Sequence, residues 1–193
     1  DFLIAHAAEK VAAGMETSIW SGVNATAGEF AGIMTQLTTD ASLPAAQEVA
    51  GTTVDASNVI AELGKIIDAC PSALYGKEDL TLYVSSNIYR AYVRALGGFA
   101  ASGVGANGYD NKGTNQVLGD LYFDGVRVFM ANGLASNKAL LAQKSNLYFA
   151  TGLLNDMNEV KVLDMGDIDG SQNVRGILRF SADAKYGFAS DVV

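Results

Sequence analysis

The chain has 193 residues, a formal net charge of -8, 49% apolar residues, 21 glycines and only 18% charged residues. That length can bury a sizeable core in one or two domains. Its acidity argues against a protein that coats nucleic acid through a basic face, and against attraction to anionic lipid. Charge below the usual ~25%, alongside so much apolar sequence, predicts more apolar area than one monomer's core needs, and so self-association. No window approaches the ~18 uninterrupted apolar residues of a membrane span, and no secretory pattern is visible. The single cysteine, Cys70, excludes an internal disulfide.

Residues 2–20 place Ile4, Ala7, Ala8, Val11, Met15 and Ile19 on one stripe, which predicts a long, alanine-rich amphipathic helix. The run begins at Asp1 already in helical pattern, and "GFASDVV" at the other end reads as a strand still running. A processed fragment is therefore expected. Residues 29–50 are weakly patterned, with a loop near Asp40 to Pro44. A second helix is predicted from Ser57 to Ala69, with Val59, Ile60, Leu63, Ile66 and Ile67 inward and Pro71 as its stop. "LTLYV", Leu80 to Val84, reads as a short strand leading straight into a helix that carries Ile88, Tyr89, Tyr92, Val93 and Leu96 behind a Ser85/Ser86 cap.

The next stretch contains "GVGANG", Gly103 to Gly108, a literal G-x-G-x-x-G. Dinucleotide binding needs a strand before those glycines and a helix after them, so that phosphate meets the helix N-terminus. Here a helix pattern precedes and turn formers follow, and Lys112 comes before Gly113 and Thr114, so no phosphate loop is completed. The plainer reading is a long glycine loop from Gly97 to Asn115. "LYFDGVRVFMA" then predicts a hairpin turning at Asp124-Gly125. A second hairpin is expected in the segment from Val160 to Phe188. Within it Val174, Gly176, Leu178, Phe180 and Ala182 alternate with Arg175, Ile177 and Arg179 as one long strand.

Groups that could do chemistry are few. His6 is the one histidine and lies on the polar side of the first helix, where a solvated side chain is its ordinary role. Cys70 ends a helix before Pro71, where the helix dipole disfavours a thiolate, and reads as a buried structural thiol. One His and one Cys cannot close a zinc site. Asp164, Asp167 and Asp169 could offer oxygens to calcium, but their spacing misses the EF-hand pattern and Asp-Gly alone explains a turn. Lys161, Arg175, Arg179 and Lys185 could form a basic strip, too small for a nucleic-acid footprint and suited to pairing with acidic neighbours in an interface. No catalytic, cofactor-binding or metal-binding residue is assigned.

The order of these elements resembles a family. A long first helix, then "LTLYVSSNIYRAYVRAL", a glycine loop, "LGDLYFDGVRVFMANGLA", "NLYFATGLLNDMNEVKVLDM" and "NVRGILRFSADAKYGFASDVV" together resemble a major capsid protein of a tailed bacteriophage, of the Hong Kong 97-type fold. The resemblance implies an α+β fold with a spine helix, a peripheral domain with long antiparallel strands from residues 1–52 and 146–193, and an inserted axial α/β domain from residues 53–145. It implies a non-enzymatic coat protein that self-assembles into hexamers and pentamers of an icosahedral head, located in the virion and assembled in the host cytoplasm. Implied partners are other copies of itself, scaffolding and portal proteins and, indirectly, packaged DNA, with no membrane and no cofactor. The loop from Gly97 to Asn115 would lie near the capsomer axes, where glycine permits one sequence to fit two rings. The family's N-terminal arm and extended loop precede the spine helix and have no counterpart in these residues, so no cross-linking residue is carried over. An encapsulin-like nanocompartment shell is the same-fold alternative. A small nucleotide-binding enzyme using Gly103 to Gly108 is the alternative of a different class.

Overall fold

The computed structural model describes residues 2–25, 29–96, 121–152, 159–166, 170, 172–179 and 181–193. The glycine motif at 103–108 therefore lies outside the described residues, as do Asp167 and Asp169.

The centre is a four-stranded sheet in the order β2-β3-β1-β4, with β1 at Leu80–Val84, β2 at Leu121–Phe123, β3 at Val126–Met130 and β4 at Ala139–Gln143. Strand β1 runs parallel to β3 and antiparallel to β4. Because successive side chains of a strand alternate between faces, β1 sends Leu80, Leu82 and Val84 to one side and Thr81 and Tyr83 to the other. The first side packs against helix α3, Val59–Asp68, through Val59, Leu63 and Ile67, and against helix α4, Ser86–Ala95, through Ile88, Tyr89, Ala91 and Tyr92. On the second side Tyr83, Leu140 and Ala142 meet Trp20, Ile33, Leu37, Ala184 and Val192. Trp20 comes from helix α1, Phe2–Ser21, and Ile33 and Leu37 from the short helix α2, Ile33–Thr39.

Local chemistry accounts for much of this. Asp124 and Gly125, with φ of 47° and 77°, make the tight β2–β3 turn that the Asp-Gly pair predicts. The Tyr75 hydroxyl donates to Asp124 O at 2.8 Å, and the Tyr92 hydroxyl to Tyr122 O at 2.7 Å, fastening that hairpin to the turn after α3 and to α4. At the base of the sheet the Asp79 carboxylate accepts from Gln143 Nε2 at 2.7 Å and Ser145 Oγ at 2.5 Å. Those bonds, with Ser145 the larger influence, hold its carboxyl below the ordinary aspartate value.

Two further ribbons complete the chain. Strand β5, Leu147–Thr151, pairs with β8, Ala182–Tyr186, and strand β6, Glu159–Asp164, pairs with β7, Val174–Arg179, both antiparallel. The expected long strand from Val174 to Ala182 is thus divided between two ribbons. Its alternation carries no mark of where one partner gives way to another.

Other differences have equally local causes. Helix α2 forms in the stretch read as weakly patterned: it is short and threonine-rich, and only Ile33 and Leu37 are buried on it. Ile60 faces outward at 52% exposure, because the stripe at Val59, Leu63 and Ile67 already fills the contact with the sheet. Ser85 occupies the N-cap position of α4 without a side-chain cap, and its hydroxyl lies 2.7 Å from Asn87 Oδ1 instead. On α1 the stripe is half-buried at Ala7, Val11, Met15 and Ile19, whereas Ala8 is exposed.

The C-terminal end of α1 is held by close approach to the turn after β3. Ser21 Oγ donates to Gly133 O at 3.0 Å, the Asn132 amide donates to Glu16 Oε1 at 3.1 Å, and a Cβ on Gly133 would collide with the Glu16 carbonyl and Trp20 Cδ1. Gly64, inside α3, has open space around its Cα. Gly133→Ala is therefore expected to destabilise by about 1–3 kcal/mol through overpacking. Gly64→Ala should stabilise by about 0.5–1 kcal/mol, because alanine loses less backbone freedom in a helix. Denaturant unfolding of the two variants checks both signs.

Candidate assembly surface

The described residues that could do chemistry stay apart. His6 is exposed on α1. Cys70 is half-buried beside the first core, its Sγ 3.6 Å from Pro71 O, and burial pushes its thiol above the ordinary value, away from a reactive thiolate. Asp164 caps a turn by accepting the Gly166 amide at 2.9 Å. Among the described residues no group of three or more His, Cys, Asp or Glu could hold a metal ion, and no helix is long and apolar enough to cross a membrane. The four basic residues are not one strip. Arg175, Lys161 and Arg179 occupy register positions of one parity on β6–β7, opposite Leu163, Ile177 and Glu159, whereas Lys185 is on β8 opposite Tyr148.

What the chain presents instead is apolar surface on strands and a helix. The face of the central sheet covered by α1, α2 and β8 is bare at β2 and β3, where Tyr122 is 57% exposed and Phe129 is 47% exposed. Phe129 stacks edge-on against Tyr83, whose other neighbour is the Trp20 ring at 5.1 Å, so the exposed patch is continuous with the second core. Tyr148 and Phe149 are exposed on β5, Phe188 follows β8, and Val174 is 60% exposed on β7. Helix α1 is fastened by hydrogen bonds near Glu16 to Gly22, while Ala8, Glu9, Lys10, Ala12, Ala13 and Gly14 are exposed along its first two-thirds. A two-stranded ribbon such as β6–β7 is marginal in water by itself, and three or more strands or a packed face are needed for independent stability.

These surfaces are positioned by side-chain amides that the sequence does not announce. Gln36 Nε2 donates to Ala31 O at 2.5 Å and to Ala184 O at 2.7 Å, joining α2 to β8. Buried Asn146 donates to Phe188 O and accepts the Gly187 and Phe188 amides, turning the chain out of β8. Gln47 Nε2 donates to Ser190 O at 2.8 Å. The Tyr186 hydroxyl donates to Asp40 Oδ2 at 2.6 Å. Periodicity does not rank such amides and hydroxyls, because their partners lie elsewhere in the chain.

No family model and no curated protein matches the chain. Solved structures do. A chain of the capsid of an empty GTA particle, computed with C5 symmetry, matches 99% of this chain at TM-score 0.55 and 13% identity. A chain of Mycobacterium phage Che8 matches 75% of it at TM-score 0.50 and 16% identity. The chain spans 63% and 51% of those two chains' own length. Likeness at this identity shows the fold: this is the α+β fold of a phage-type capsid subunit, as the resemblance implies.

The Asp40–Tyr186 bond gives a pH signature for the join between α2 and β8. The Tyr186 hydroxyl, with the Ser42 amide, holds the Asp40 carboxyl below its ordinary 3.8, so this contribution is present above that pH and is lost as pH falls through the lowered value. Burial, with the bond to Asp40, pushes the Tyr186 hydroxyl from 10.0 up to about 12, so its contribution is present below pH 10 and is lost as pH rises through about 12. Tyr186→Phe is expected to unfold at lower denaturant than wild type, by a margin that is flat from about pH 4 to 10 and narrows on both sides. A margin independent of pH would show that the bond does not act this way.

Proposed function

We infer that this chain is the structural subunit of an icosahedral shell, a coat protein that acts by repeated association with copies of itself. One observation carries the reading: 99% of the chain follows a chain of a capsid. Its exposed strand faces support the same reading, because a lone subunit would leave this apolar area in water. In this role no residue needs a perturbed pKa or a bound metal.

The proposed division has residues 1–52 and 146–193 as a peripheral domain with α1 as its spine, and residues 53–145 as an axial domain. Support comes from the first core, which draws its buried residues from Val59 to Leu141, and from the second, where Trp20, Ile33, Leu37, Ala184 and Val192 close over the other face of the sheet. Copies would associate as hexamers and pentamers around a packaged genome, in the virion after assembly in the host cytoplasm. Scaffolding and portal proteins would be the transient and vertex partners.

Expression of the gene that carries this sequence, followed by light scattering and negative-stain microscopy, tests the reading. Rings or closed shells are expected. A particle-free monomer across concentration, salt and temperature, with saturable dinucleotide binding through Gly103 to Gly108, would sink it. Tyr122→Lys should leave unfolding free energy within about 0.5 kcal/mol, as for an exposed site, and reduce particle yield.

A further inference from the structure

On the Tyr83 side of the central sheet, the β2–β3 margin presents three exposed side chains. Tyr122 stands opposite Arg127 across the ladder, and Phe129 follows Arg127 two residues along β3, so all three share one face. Tyrosine, phenylalanine and arginine are the residue types that protein interfaces concentrate. One cation set among aromatic rings suits a partner surface that is apolar and carries a carboxylate.

The opposite side of the same sheet is covered by α3, and that helix carries such a surface on its outer flank. Ile60, Gly64 and Asp68 follow at i, i+4 and i+8, and so form one row along the helix. Ile60 and Asp68 are exposed. Gly64, between them, has nothing within 4 Å of its Cβ position, so the row has a notch at its middle. Lys65 stands off that row, with its Nζ bonded to Glu62 at 2.7 Å.

The two surfaces match in spacing and in charge. Arg127 and Phe129 are about 6.7 Å apart along their strand, and Gly64 and Asp68 are about 6 Å apart along their helix. A phenyl ring seated over Gly64 therefore sets the arginine beside Asp68. Pairing of either surface with itself is disfavoured, because margin on margin brings two Arg127 charges together and row on row brings two Asp68 charges together. The surfaces lie on opposite sides of one sheet, so copies joined through them stack in a single sense.

We propose that the β2–β3 margin of one copy packs on the α3 row of a second, with Phe129 in the notch at Gly64, beside Ile60, and Arg127 against Asp68. The contact rests on the coat-subunit reading for its setting. It covers the aromatic stack that begins at Trp20 and Tyr83, and it buries the exposed Ile60.

The test places the photo-cross-linker p-benzoylphenylalanine at Tyr122 in the expressed chain, mixed from isotopically light and heavy preparations so that joins between copies are told from joins within one. Cross-linked products are mapped by mass spectrometry, and the same sample is imaged for particles. A dimer joining residue 122 of one copy to the Val59–Asp68 helix of another is expected. Gly64→Gln fills the notch while raising helix preference, so it should lower the yield about tenfold with a melting temperature no lower than wild type. Asp68→Arg should lower the yield about as far, and adding Arg127→Asp to it should restore the cross-link. Particles without this cross-link would overturn the contact and leave the coat reading standing. The cross-link without particles would do the reverse. Cross-links only within one copy, only to a different protein, or to another segment of a second copy would each overturn the proposal. So would a Gly64→Gln yield equal to wild type, or an Asp68→Arg loss that Arg127→Asp does not restore.

Discussion

Burial of β1 on both faces is the constraint on which the rest of the molecule depends. Leu82 and Val84 are fully buried on one side while Tyr83 is buried on the other, so neither helical layer can be removed without exposing the strand. A strand covered on both faces reads as an unbroken apolar run, and "LTLYV" is that run. The two cores that meet across it are built from different parts of the chain. α3 and α4 close one side, and α1, α2, β8 and Val192 close the other, with Val193 reaching back to the first. The ends of the sequence are therefore tied to its middle.

That arrangement explains where apolar surface is left over. The layer on the Tyr83 side is narrower than the sheet and stops at β1, leaving Tyr122 and Phe129 at the β2–β3 margin. The Trp20–Tyr83–Phe129 stack runs from the covered zone into the open one, so a partner that covered Phe129 would extend an existing core. Aromatic pairs in this tilted or edge-on geometry add about 0.5–1.5 kcal/mol beyond area burial.

How much of this was legible depended on whether a residue's partner lay nearby in the sequence. β1, α4 and the Asp124-Gly125 turn are set by local pattern, and their bounds fall where the pattern puts them. β4, "ALLAQ", has no alternation, because it is buried on both faces next to β1. The pairing that begins β8 and the long-range amide bonds of Gln36, Gln47 and Asn146 join residues more than thirty positions apart. Helix α2 was hidden by its threonines: Thr38 Oγ1 donates to Thr35 O and Thr39 Oγ1 to Gln36 O, local bonds that lower intrinsic helix preference. The apolar excess did point to association, but composition assigns no surface. Tyr122, Phe129 and Val174 emerge only once the sheet order is known.

Where the bare β2–β3 margin of one copy met a different patch of the next, the contact would be heterologous. Contacts of that kind form rings when the rotation between copies closes and filaments when it does not. Closure is then set by the angle between the two patches on one subunit. The net charge of -8 adds a second control. Copies of like charge repel at distances up to the Debye length of about 8 Å in physiological salt, so approach is opposed until strand edges and apolar faces meet. Salt would relieve that repulsion without strengthening the contact itself. An exposed strand edge is a hazard in a soluble protein, and charge around a short, directional edge limits that hazard to partners that arrive in register. The features that would let this chain build a shell are thus the ones that would keep it from aggregating first.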